Sequence, residues 1–141
     1  MKFNRKASAQ WNGSGKEGNG VLNTQSGILE DTQYSFHTRF EDGDKGTNPE
    51  ELIGAAHAGC FTMQLSFLLG EEGFTPETLN TNAKVAFQDG EIVKITLDLD
   101  GVVPGIDEEE FKRIADKAKE VCPVSKLLKA EIELSVNLTN R

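Results

Sequence analysis

The sequence predicts an α+β domain. Three observations carry that reading. Asp89-Gly90 joins two runs in which apolar and polar residues alternate, the strongest short hairpin signal in the chain. Leu52 to Gly70 contains no Asp, Glu, Lys or Arg and follows a clear helix start. Phe111, Ile114, Ala115, Ala118, Val121 and Cys122 recur at helical spacing. Strands, helix, hairpin, helices and a last strand follow one another in that order. This segregation points to α+β and away from a parallel βαβ fold.

The first forty residues read as strands at Ala7 to Trp11, Val21 to Thr24 and Gln33 to Phe40, punctuated by Asn12-Gly13, Asn19-Gly20 and Ser26-Gly27. In the third, Tyr34, Phe36, Thr38 and Phe40 alternate with Gln33, Ser35, His37 and Arg39, which puts His37 and Arg39 on the polar face. An acidic, glycine-containing loop from Glu41 to Gly46 leads to the long helix. Asn48 suits its cap, Pro49 its first position, and Glu50 and Glu51 bring negative charge to its first turn.

By length alone the uncharged stretch would suit a membrane span, but His57, Thr62, Gln64, Ser66 and three glycines interrupt it. A helix apolar on nearly every side is one wrapped by other protein. A domain this small seldom surrounds such a helix, so part of the cover is expected from a second copy of the chain. Gly54, Ala55, Ala58 and Gly59 would allow close approach.

Beyond it come strands Thr81 to Gln88 and Ile92 to Val103. Val93, Ile95, Leu97 and Leu99 alternate with Lys94, Thr96, Asp98 and Asp100, giving one buried and one wet face. Asp107 caps the next helix, whose first turn is Glu108, Glu109 and Glu110. Cys122-Pro123 breaks that helix, since a residue before proline avoids the helical region. A short helix from Pro123 to Lys129 and a strand carrying Ile132, Leu134, Val136 and Leu138 complete the chain.

A chain of 141 residues leaves room for a single domain, residues 1–141. With 37% hydrophobic and 27% charged residues it is neither disordered nor an integral membrane protein by composition. Fifteen Lys and Arg against 23 Asp and Glu give a formal charge of −8, the wrong sign for binding nucleic acid by counterion release. The stretch from Met1 to Gly15 holds no apolar run that could form the core of a signal peptide, so the expected compartment is the cytoplasm. There the two cysteines, Cys60 and Cys122, would stand as thiols unless their chemistry is redox.

Taken singly, a cysteine is most often a small buried hydrophobe. Cys122, immediately before Pro123, holds a helix-cap position, where amide dipoles favour a thiolate, although the end of the preceding helix opposes them. A pair of cysteines permits what one does not: one thiolate is oxidised to a sulfenic acid and the other condenses with it. His57 lies three residues before Cys60 and reads as a core or interface residue. A zinc module would have only Cys60, Cys122 and His57 as soft ligands, short of the usual four. Arg39 and Glu50 are unremarkable by spacing alone.

Three stretches resemble a known family: Phe36 to Phe40, Gly46 to Phe61 with its Asn-Pro-Glu and Ala-x-x-x-Cys-Phe elements, and Ala118 to Ser125. The chain is similar from about Ala9 to Asn137 to the OsmC family of thiol peroxidases, which also holds the organic hydroperoxide resistance proteins. Phe-x-Thr-Arg-Phe is closer to the OsmC branch. The resemblance implies an intertwined α+β homodimer, with an antiparallel sheet packed around two long central helices. It implies that Cys60 is the peroxidatic cysteine and Cys122 the resolving one. Arg39 would steady the thiolate, and Glu50 would orient that arginine. It further implies an organic hydroperoxide substrate, an external dithiol reductant of the dihydrolipoamide type, and no bound cofactor. Gly59 stands where alanine is expected.

Glu50 and Cys60 sit ten residues apart on the predicted helix, which separates them by about 15 Å. A compact site therefore favours Arg39 and Glu50 from one subunit completing the Cys60 site of its partner. A non-catalytic dimeric binding protein and the Cys/His metal module are the competing readings.

Overall fold

The structure is a computed structural model that describes residues 1–43 and 45–140; Asp44, part of the expected acidic loop, lies outside them. It divides into two compact units, Met1–Leu52 and Ile53–Arg141.

In the first unit, β1 (Ala7–Asn12), β2 (Asn19–Thr24) and β3 (Thr32–Tyr34) form an antiparallel sheet in that order. Gly20 on the middle strand pairs with Trp11 on one side and Tyr34 on the other. The two rings meet edge to face, 5.4 Å between centroids, and a Cβ on Gly20 would come within 2.6 Å of Tyr34 and 2.7 Å of Trp11. Glycine is what lets the aromatics close over the strand.

The third strand is shorter than its alternation suggests. It ends at Tyr34, and α1 (Phe36–Phe40) replaces the second half. The cause is a capping box: Ser35 Oγ accepts from Thr38 N at 3.1 Å, and Thr38 Oγ1 accepts from Ser35 N at 2.8 Å. Two satisfied amides outweigh a period-two pattern, so His37 and Arg39 stand on a helical turn instead of a strand face. His37 Nδ1 lies 2.6 Å from Glu41 Oε2.

Helix α2 (Pro49–Glu71) starts as expected. Asn48 Oδ1 accepts from Glu51 N at 2.8 Å, and Pro49 is the first helical residue.

The second unit holds most of α2, with β4 (Thr78–Gln88), β5 (Glu91–Val102), α3 (Glu108–Val121), α4 (Pro123–Leu127) and β6 (Glu131–Leu138). Strands β4 and β5 pair antiparallel through Asp89 and Gly90, whose φ values of +51° and +81° suit the tight hairpin turn. The sheet as a whole is not antiparallel: β6 lies parallel to β5. Helices α3 and α4 between them supply the long crossover that parallel pairing requires. The chain is α+β with one such crossover, a feature the hairpin signal did not reveal.

Phe61, Leu65, Leu69, Ile95, Leu97, Phe111 and Ile114 form the core of this unit. Phe111 lies on Gly101 of β5, where a Cβ would collide with its ring. Gly54 is also used within the chain, since a Cβ there would lie 3.3 Å from Val85 Cγ2. Along α2, His57, Phe61, Leu65, Leu68 and Leu69 are buried, whereas Met63 and Phe67 are each 64% exposed and Gly59 has open space beside it. By length and composition α2 could cross a membrane; here one face packs into the core.

Candidate active site

Cys122 is shared by two helices. Its N–H donates to Ala118 O at 3.0 Å, closing α3, and its carbonyl accepts from Lys126 N at 3.0 Å, opening α4. Its own backbone is non-helical (φ −58°, ψ 122°), as the following proline requires. The thiol is fully buried. Cys60, on the middle of α2, is half-buried, and both cysteines are free thiols. Cys60 packs against the core cluster that contains Cys122, and the two thiols lie close enough to bear on ionisation at Cys60.

Burial pushes the Cys60 thiol above its ordinary value, and the hydrogen bond with Cys122 and the proximity of its charge add to the rise. A backbone hydrogen bond from Val124 works in the other direction. Within its own unit, then, Cys60 is held toward the protonated, less nucleophilic form.

One turn before Cys60, His57 is 0% exposed, and its Nε2 lies 2.7 Å from Ser125 Oγ. Its Nδ1 is buried and unpartnered among the described residues. The core position expected for His57 holds; its partner Ser125 is not among the residues the sequence predicts for the site. The signal for it was the register of the two pairs, since Ser125 follows Cys122 by three residues as His57 precedes Cys60 by three. Among the described residues no group of three or more His, Cys, Asp or Glu side chains is placed to hold a metal ion.

Burial lowers the His57 pKa. The sign of the consequence is fixed by linkage: below about pH 6.5 the unfolded imidazole binds a proton that the folded one refuses, so stability falls as pH falls. The expected slope from this residue is about 1.4 kcal/mol per pH unit down to the folded pKa. Urea unfolding of wild type and His57→Gln between pH 7.5 and 5 checks it, the variant being expected to show the flatter dependence.

In the first unit, Arg39 Nε donates to Glu50 Oε1 at 2.8 Å. The pair is built by α1 and the first turn of α2. Thr38 Oγ1 donates to Thr47 O at 2.7 Å, and Asn48 Nδ2 donates to Thr38 O at 3.1 Å, tying the two segments together. Glu50 is 14% exposed and Arg39 38% exposed. The sequence-predicted residues thus form two pairs, Cys60 with Cys122 and Arg39 with Glu50.

The family model described as OsmC-like protein matches residues 42–137. The chain is 51% identical over 142 aligned positions to peroxiredoxin OsmC of Escherichia coli K12, covering 98% of this chain and 99% of the relative. The chain belongs to the OsmC-like family. The chain is also similar to the organic hydroperoxide resistance protein of Xanthomonas axonopodis pv. citri, 31% identical over 100 residues, 68% of this chain and 69% of that protein. The crystal structure of the organic hydroperoxide resistance protein OhrB of Bacillus subtilis superposes with a TM-score of 0.73 at 25% identity, covering 97% of this chain and 98% of that one. The α+β architecture is therefore the OsmC-like fold, and this chain is an oxidoreductase of the peroxidase class.

Proposed function

We propose that the chain reduces organic hydroperoxides to alcohols, and hydrogen peroxide less well, at the expense of an external dithiol. The observation that carries the reading is the packing of half-buried Cys60 against the core cluster that holds the buried Cys122, both as free cysteines. The Cys60 thiolate attacks one peroxide oxygen; the O–O bond breaks, the alkoxide leaves and takes up a proton, and Cys60 becomes a sulfenic acid. Cys122 then attacks the Cys60 sulfur, hydroxide departs as water, and a Cys60-Cys122 disulfide closes. A dithiol, of the dihydrolipoamide type, reopens it by exchange and is itself oxidised to a disulfide. No bound cofactor takes part.

Arg39 is the group that recovers the thiolate which burial disfavours, because a guanidinium stays charged at physiological pH. Glu50 limits its rotamers through the observed ion pair. The working unit is a homodimer. Its support is the apolar face of α2 that the chain leaves exposed at Met63 and Phe67, beside the open space at Gly59. In that dimer Arg39 and Glu50 of one subunit serve Cys60 of the other. The setting is cytoplasmic defence against oxidative and osmotic stress.

Consumption of an organic hydroperoxide with excess dithiothreitol tests the activity. Wild type is expected to consume it faster than an equal concentration of hydrogen peroxide, and Cys60→Ser to match the protein-free rate. Equal rates for wild type and Cys60→Ser would overturn the reading.

A further inference from the structure

The reaction above uses neither His57 nor Ser125, yet their contact is the more demanding one to bury. A fully buried imidazole with an unpartnered Nδ1 carries a desolvation cost that an apolar side chain would not. Packing alone does not account for it. What His57 holds is Ser125, at 2.7 Å across a long stretch of sequence.

The His57–Ser125 hydrogen bond and the packing of Cys60 against the cluster that holds Cys122 join the same two segments. They lie one turn apart on α2 and three residues apart between Cys122 and Ser125, in opposite chain directions. Fixing one contact therefore fixes the separation and register at the other. The second segment needs such a fixing point. α4 is five residues long, too short to hold itself, and Cys122 before it is a non-helical pivot. Val124, which packs against the core cluster that holds Cys122, directly precedes Ser125.

We infer that His57 and Ser125 are positioning residues for disulfide closure: their buried hydrogen bond holds the segment from Cys122 to Ser125 in register with α2, so that Cys122 reaches the Cys60 sulfenic acid before a second peroxide does. The inference rests on the peroxidase reading. Two steps compete for the sulfenic acid. Attack by Cys122 gives the disulfide and water; attack on another hydroperoxide transfers a second oxygen, giving an alcohol and a sulfinic acid that a dithiol does not reduce. The pin favours the first.

The test compares wild type, Ser125→Ala, Ser125→Thr, and the apolar double variant His57→Leu/Ser125→Ala, which removes both partners so that no polar atom is left stranded. Two readouts are taken. One is the rate of intramolecular disulfide closure with diamide, which accepts the two thiol hydrogens and becomes the hydrazine. The other is the organic hydroperoxide concentration that converts half of Cys60 to sulfinic acid, by mass spectrometry. Ser125→Ala and the double variant are expected to close about tenfold more slowly and to overoxidise at about a tenth of the peroxide, whereas Ser125→Thr behaves as wild type. Thermal unfolding of each variant separates this from loss of fold, the double variant being expected to melt near wild type. Wild-type closure in the stable double variant would overturn the inference. If wild-type Cys60 proves inert to hydroperoxide, the peroxidase reading fails, and the diamide arm still decides whether the pin exists.

Discussion

Cys60→Ser will lose hydroperoxide turnover by at least ~10³-fold, and Cys122→Ser will complete one oxidation and stop. The difference follows from the position of each sulfur. Cys60 is half-buried on α2, whereas Cys122 is fully buried at the joint of α3 and α4, in the core cluster that Cys60 packs against. In the proposed mechanism the first meets the hydroperoxide and the second displaces its oxygen. Rapid-mixing experiments with one equivalent of hydroperoxide should show a full first turnover in Cys122→Ser and none in Cys60→Ser. In the Cys122 variant a dimedone adduct should map to Cys60. Steady turnover in Cys122→Ser with dithiothreitol would mean that the external thiol resolves the sulfenic acid directly and that Cys122 is packing.

Arg39→Ala should lower kcat/KM by about 10²- to 10³-fold, the range for removing one preorganised charge-stabilising donor. Glu50→Ala should cost less, since it loosens the guanidinium without removing its charge. The midpoint of Cys60 alkylation against pH should rise in Arg39→Ala, because burial and Cys122 already hold the thiol up and nothing else cationic is assigned to oppose them. Mixing Cys60→Ser with Arg39→Ala subunits then decides which subunit supplies the arginine. Donation across the dimer restores one intact site in each heterodimer, so an equal, freely exchanged mixture should recover about a quarter of the wild-type rate. A mixture that stays inactive after verified exchange would place Arg39 and its own Cys60 in one subunit.

Much of this was legible in the sequence, and the exceptions share a cause. Asn48-Pro49, Asp89-Gly90, Asp107 and Cys122-Pro123 act through their own backbone or that of residues three or four away, and each does what its local chemistry dictates. After Tyr34 the alternation of apolar and polar residues suggests a strand, whereas the Ser35-to-Thr38 capping box makes a helical turn. The parallel pairing of β6 depends on where the α3–α4 crossover returns the chain, which no local signal encodes. The chemistry divides the same way. Cys60 and Cys122 announce themselves by type, whereas Arg39 with Glu50 and His57 with Ser125 are ordinary residues until folding pairs them. Family resemblance points to Arg39 and Glu50, whereas the role of Ser125 is visible only in the fold.

The central claim is that Cys60 and Cys122 form the redox couple of a thiol peroxidase. It is tested most directly by peptide mass mapping of the reduced protein after one equivalent of organic hydroperoxide, without added reductant. The account predicts a peptide pair linking Cys60 to Cys122 within one chain, lighter by two hydrogens than the free peptides, formed with one alcohol released per chain and absent in Cys60→Ser. Both cysteines recovered as free thiols while hydroperoxide is consumed, or cross-links only between chains, would contradict it.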